Sequence, residues 1–157
     1  MAATTLDSLR EKFAATMGDV TLSHGVLVLT PASEDLVRTV QTLKSVFDFD
    51  LLLDITAVDW LDHALRFELV YHFYSTRHFV RVRLKCRVTE ADPSIDSLIS
   101  MYGSARFMER ECHEMYGIVF RGNDDLRPIL LYEGFVGHPL RKDYPKQREQ
   151  PLVPYRI

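Results

Sequence analysis

The sequence predicts an α+β fold, a mainly antiparallel sheet flanked by amphipathic helices and followed by an extended C-terminal arm. Three observations predict it. Apolar residues alternate with period two through the middle of the chain, and they recur at helical spacing on either side of it. Beyond Phe120 every period is lost, and Pro128, Pro139, Pro145, Pro151 and Pro154 are spread among Gly122, Gly134 and Gly137, a composition that excludes a packed sheet or a long helix. The expected division is therefore an α+β domain over residues 1–120 and an extended arm over residues 121–157.

The elements follow in order. Leu6, Leu9, Phe13 and Met17 lie one helical turn apart, Thr4 or Thr5 can cap the start, and Gly18 suits the left-handed position past the end. A short strand runs from Val26 to Leu29. Ser33 is then placed to cap a helix, with Glu34 and Asp35 at its positive end and Leu36, Val40, Leu43 and Phe47 as the buried stripe. Phe49, Leu51, Leu53 and Ile55 read as the inward side of a strand, and Phe67, Leu69, Tyr71 and Phe73 as that of the next. The clearest alternation sets Val80, Val82, Leu84, Cys86 and Val88 against Arg81, Arg83, Lys85 and Arg87, with Ser75 to His78 closing a hairpin. Asp92-Pro93 opens a helix carrying Ile95, Leu98, Ile99 and Tyr102 on one face, and a further helix spans Ala105 to about Tyr116 and ends at Gly117. No internal repeat and no low-complexity tract interrupts this order.

Composition excludes several classes. The 157 residues suffice for one domain with a core, and 46% hydrophobic with 26% charged residues is ordinary for a folded, soluble protein. A net charge of -3 provides no global field for nucleic acid or anionic lipid. No apolar run approaches the ~18 residues of a membrane-spanning helix. The N-terminus lacks the basic and apolar regions of a signal peptide, and Asp7 and Glu11 argue against a transit peptide, so a cytoplasmic protein is expected. The two cysteines, Cys86 and Cys112, cannot supply the four thiolates of a usual iron-sulfur cluster and are expected as reduced, buried thiols.

Catalytic patterns fail on spacing. His113-Glu114 would begin a zinc-binding H-E-x-x-H helix, but Gly117 stands where the second histidine belongs. Cys112 and His113 are adjacent on a helix and point about 100° apart, so they cannot work as nucleophile and base. Gly134-Phe-Val-Gly137 fits no phosphate-binding loop. The basic strand face could meet an acidic partner, but it reads first as a solvated surface paired with Glu68. Glu109, Arg110, Glu111 and Glu114 crowd one and a half turns, and an Arg110–Glu114 pair would contribute only ~0.2–0.5 kcal/mol, too little to explain them. Over residues 137–157, Arg141, Lys142, Lys146, Arg148 and Arg156 stand against Asp143 and Glu149, interleaved with Tyr144, Tyr155 and prolines. Such a segment gains order by lying on another surface.

The run Glu109-Arg-Glu-Cys-His-Glu-Met-Tyr-Gly-Ile118 resembles the signature of the complex I 30 kDa subunit family, which in bacteria is the C subunit of NADH-quinone oxidoreductase. Phe120, Gly122 to Arg127, Ile129-Leu130 and Gly134 to Pro145 resemble the same family's second block. The chain departs from it at His113-Glu114, where the family commonly has Trp-Asp, and at Gly122-Asn-Asp-Asp, where it often has Gly-His-Pro-Asp. The resemblance implies a structural subunit of the peripheral arm of a proton-translocating NADH:quinone oxidoreductase, on the cytoplasmic side of the inner membrane. It implies no catalytic residue, cofactor or metal in this chain, with FMN and iron-sulfur clusters held by partner subunits. The implied partners are the 49 kDa-type (D) subunit and the B and I iron-sulfur subunits. Glu109, Arg110, Glu111, Arg127, His138, Arg141, Lys142 and Asp143 carry over as interface candidates. The alternatives are the equivalent subunit of a membrane-bound hydrogenase or another quinone-reducing dehydrogenase, an independent nucleic-acid-binding module, and a stand-alone hydrolase using His113, Glu114 or His138.

Overall fold

A computed structural model describes the backbone of residues 2–17 and 20–147 and the side chains of 7–15 and 20–147. Helix α1 spans Ala2–Met17, and its stripe is seen at Leu9 and Phe13, both buried; the side chains of Leu6 and Met17 and the Gly18 cap lie outside what the structure describes. Strands β1 (Val20–Ser23) and β2 (Val26–Leu29) form a tight hairpin. His24 and Gly25 turn it, both at positive φ (51° and 74°), which matches the strand twist. This first strand was not legible in the alternation. A 3-10 turn, Ser33–Asp35, precedes α2 (Leu36–Phe47), so Ser33 does not cap the helix as expected; its hydroxyl donates to Glu34 instead, at 3.3 Å. Leu36, Val40, Leu43 and Phe47 are buried, and the Phe13 ring meets Phe47 edge-on at 4.3 Å.

Strands β3 (Leu51–Asp59), β4 (Phe67–Ser75) and β5 (Val80–Val88) complete a five-stranded sheet in the order β1-β2-β5-β4-β3. Within this sheet only the β2–β5 pairing is parallel. The β4–β5 hairpin is as the sequence predicts, and Phe67, Leu69, Tyr71 and Phe73 stand opposite Val88, Cys86, Leu84 and Val82 on the core face. The expected phase of β3 is corrected at its start. The register shifts between Leu52 and Asp54, so Leu53 is extruded and Leu52, not Leu51 or Leu53, shares the core face with Ile55. The helix expected after Pro93 is absent. Ser94–Asp96 is instead a strand, β6, paired in parallel with β7 (Val119–Arg121), and this non-local pairing buries Ile95 and Phe120 side by side. Between them α3 (Ala105–Tyr116) has the predicted bounds and ends at Gly117, whose φ of 77° is the left-handed cap.

The buried stripes of α1, α2 and α3 join one apolar cluster on one side of the sheet. The other side carries Glu68, His72 and Tyr74 opposite Arg87, Arg83 and Arg81. There Glu68 takes Lys85 and Arg87 at 2.8 and 2.7 Å, the cross-strand pairing the sequence suggests.

Candidate functional site

The charged block on α3 folds as a frame for the residues that follow it. Glu109 has no accessible surface; its carboxylate accepts from the Leu98 amide and the Ser97 hydroxyl at 2.7 Å and from Asn123 at 2.9 Å. Burial raises its pKa above the ordinary value, and these three donors oppose that rise. The carboxylate of Glu114, one and a half turns on, is also buried and accepts the amides of Ile129, Leu130 and Leu131 at 3.2, 2.9 and 2.8 Å. The expected Arg110–Glu114 pair is thus not formed. Arg110 reaches the carbonyls of Arg127 and Pro128, both at 2.9 Å, and lies 3.7 Å from Asp125. The two side chains satisfy opposite halves of the same loop backbone, one its carbonyls and the other its amides.

The C-terminal end of α3 is closed by the same segment. A helix leaves its last four carbonyls without helical partners, and here each is met. His113 is met by the Gly117 amide at 2.8 Å, Glu114 by His138 Nδ1 at 2.9 Å, Met115 by the Leu140 amide at 3.2 Å, and Tyr116 by Arg141 Nε at 2.6 Å. The guanidinium of Arg141 also lies 5.0 Å from the Phe67 ring and places positive charge at the negative helix end. Gly117 makes this approach possible: a Cβ there would stand 2.6 Å from both His138 Nε2 and Arg141 Nη2.

The segment is then clasped to the sheet. Arg66, buried just before β4, pairs with Asp59 at 2.9 Å, with Asp143 at 2.7 Å and with Glu90 at 2.6 Å, while the Lys142 amide donates to Asp59 at 2.8 Å. Hydrogen bonding to Arg66 holds both aspartates below the usual carboxylate range. This clasp was missed in the sequence. Asp59 does carry a signal, because alternation from Ile55 and Ala57 sets it on the apolar face, where a carboxylate requires a partner.

Of the interface candidates, Glu111, Arg127, Lys142 and Asp143 are exposed and Arg110, His138 and Arg141 are part-buried, whereas Glu109 is sealed inside the chain. Held outward on this frame are apolar side chains: Leu130 at 63%, Val136 at 57% and Leu140 at 51% exposure, with Ile129 and Tyr132 beside them. Between α3 and the segment lies a cleft lined by His113, Leu126, Pro128, Leu131, Phe135 and His138. Its imidazoles donate from Nδ1 to carbonyls, His113 to Ile118 at 2.8 Å and His138 to Glu114. The two thiols do not converge: Cys86 reaches the Pro31 carbonyl and Cys112 that of Ile55, and burial pushes Cys86 up to about 12 and Cys112 higher. Among the described residues no group of three or more His, Cys, Asp or Glu side chains is placed to hold a metal ion. The arrangement is suited to presenting a firm, partly apolar surface.

Residues 29–150 match the family model described as the 30 Kd subunit of respiratory-chain NADH dehydrogenase. The chain is 41% identical over 139 residues to the C subunit of NADH-quinone oxidoreductase from Geotalea uraniireducens, covering 88% of this chain and 85% of the relative. It is 44% identical over 140 residues to the protein of the same name from Geobacter sulfurreducens, covering 88% and 86%. Among solved structures it is similar to a trypsin-resistant fragment (1–134) of Nqo5, with a TM-score of 0.69 and 28% identity over 78% of this chain and 99% of the fragment. The fold is also that of a chain in an archaeal membrane-bound sulfane sulfur reductase, with a TM-score of 0.81 and 21% identity over 90% of this chain and 86% of that one.

Proposed function

Because the chain belongs to the family of the 30 kDa subunit of respiratory-chain NADH dehydrogenase, we propose that it is a docking subunit in the peripheral arm of a proton-translocating NADH:quinone oxidoreductase. It carries no redox centre of its own. Electrons pass from NADH through FMN and iron-sulfur centres of neighbouring subunits to quinone, and this chain fixes the position of the subunit that reduces quinone. Its partners are the 49 kDa-type (D) subunit and the B and I iron-sulfur subunits, on the cytoplasmic face of the inner membrane. Its membrane association in this reading runs through the complex; no helix among the described residues is long and apolar enough to cross a membrane.

The observation that carries this reading is the outward display of Leu130, Val136 and Leu140 on a segment whose backbone is tied at several points to Glu114, Arg110 and the end of α3. A loop so held adds little ordering cost when a partner covers it. Arg127 and Lys142 supply an exposed charged rim. The likeness to the sulfane sulfur reductase extends to the fold, so NADH as donor rests on the names of the curated relatives.

Purification of the tagged chain from its native membrane in mild detergent tests the proposal. The chain is expected to co-migrate with an iron-sulfur-containing, NADH-dependent quinone reductase and to be released by chaotrope. Recovery only as a free monomer, with the reductase complete without it, overturns the reading.

A further inference from the structure

The C-terminal site lies at the Asp59–Phe67 end of the sheet, and the opposite end is built as deliberately. There the β4–β5 hairpin tip is tied to the start of β3: Asp50 accepts from the Thr76 amide at 2.9 Å and from its hydroxyl at 2.6 Å, and Asp48 pairs with Arg77 at 2.7 Å. The Ser75 hydroxyl accepts from the His78 amide, and the Ser75 carbonyl from that of Phe79. On this braced tip stands Phe79, the most exposed large apolar residue described, at 78%. Its φ of 56° is a backbone conformation that bulky residues rarely adopt. Solvation alone gives no reason to hold an aromatic ring in water on a strained backbone. Strain of that kind persists where the surroundings impose it and points to function.

Arg81 follows two residues later, ~7 Å along the strand, and Arg83 two beyond it, both on the sheet face away from the core. The four basic residues of that face are treated unequally. Lys85 and Arg87 are neutralised by Glu68, whereas Arg81 and Arg83 join no ion pair among the described residues. On this face Asp54 stands across from His72. The pKa of His72 is held low by burial and then by Arg83, against the pull of Asp54. Tyr74 and the exposed Leu51 face each other across β3 and β4 beside Arg81. Exposed aromatic rings and arginines such as these are the residue types enriched at protein–protein interfaces.

We propose that Phe79, Arg81 and Arg83 form a second docking surface, which takes an acidic protein segment whose carboxylates meet the two arginines and whose apolar pocket receives the ring. Two guanidinium groups without an ion pair among the described residues, on a chain of net charge -3, suit a short carboxylate-bearing segment and not a polyanion. The inference rests on the reading above only for the identity of the assembly, and it assigns that assembly a contact at the far end of the sheet.

Phe79→Gly separates docking from folding, because glycine relieves the left-handed backbone. The variant is expected to melt at or above the wild-type temperature, yet to be outcompeted about tenfold or more when both chains are co-expressed and the assembled complex is purified. Arg81→Ala with Arg83→Ala is expected to lose in the same competition without a lower melting temperature. Hydroxyl-radical oxidation of Phe79 is expected to fall at least about tenfold between the free chain and the complex. A photo-crosslinking phenylalanine at position 79 is expected to map to a partner stretch bearing Asp or Glu. Undiminished oxidation of Phe79 in a complex that contains the chain overturns this inference and leaves the C-terminal docking reading intact. Protection abolished by nuclease or by delipidation, or a crosslink to a stretch without carboxylates, also overturns it. Absence of the chain from the complex overturns both.

Discussion

The sheet with its helices and the segment from Gly122 to Gln147 are held by different physics. The first is held by area: Phe13, Phe49, Phe67, Tyr71, Phe73 and Phe120 are essentially fully buried, and such side chains contribute ~1.5–3 kcal/mol each. The second buries little of its apolar surface and is held by directed polar contacts, with Glu114 on three amides, Arg110 and Arg141 on carbonyls and Arg66 on Asp143. The contrast teaches how a small chain can offer an apolar surface without collapsing onto it. The backbone is fixed by hydrogen bonds, and the side chains of Leu130, Val136 and Leu140 are turned outward to meet a partner.

Substitutions separate the two regions. Phe73→Ala removes a ring at the centre of the sheet and is expected to lower global stability by ~3–5 kcal/mol, read from chemical denaturation. A loss below ~1 kcal/mol would show that area does not dominate there. Glu114→Ala leaves three amides without an acceptor, at a local cost of about 1–3 kcal/mol. Hydrogen exchange at Ile129, Leu130 and Leu131 should quicken roughly tenfold or more, with β4 and β5 little changed; uniform acceleration would contradict a separately held segment.

The pH response should differ in sign. Burial, helped by Arg141 and His113, holds His138 below its ordinary 6.5, so the unfolded chain takes up that proton more readily and the segment weakens as pH falls below 6.5. Asp59 and Asp143 add stability that is present in full above their ordinary 3.8 and lost as pH falls through their depressed values. Glu109 acts oppositely: its raised pKa makes its contribution greatest below 4.5 and smaller as pH rises through the folded value. Limited proteolysis between pH 7 and pH 3 should therefore release the C-terminal segment before the body unfolds. Simultaneous loss of both would merge the two regions.

The same division governs what was legible in the sequence. The β4–β5 hairpin and α3 were readable because their patterns are local: the period of two from Val80 to Val88, and the run that ends at Gly117. The helix expected after Pro93 failed because Ile95 is fixed by Phe120 across a parallel pairing, a contact no local period reports. The extrusion of Leu53 was hidden among three consecutive leucines, which look alike in either phase. Within the site, the charge density from Glu109 to Glu114 marked the helix but not the direction of each carboxylate. Glu109 and Glu114 both turn inward, to opposite ends of the following loop, and only Glu111 remains exposed.

The most direct test of the central claim replaces side chains that the fold does not bury. Leu130→Asp with Val136→Asp changes two well-exposed residues, so the stability of the purified chain should stay within about 1 kcal/mol of wild type. Its co-purification with the NADH:quinone oxidoreductase should fall at least about tenfold, because two carboxylates would be buried unpaired against the partner. A doubly substituted chain that folds and still assembles at the wild-type level, with quinone reduction unchanged, would contradict the account.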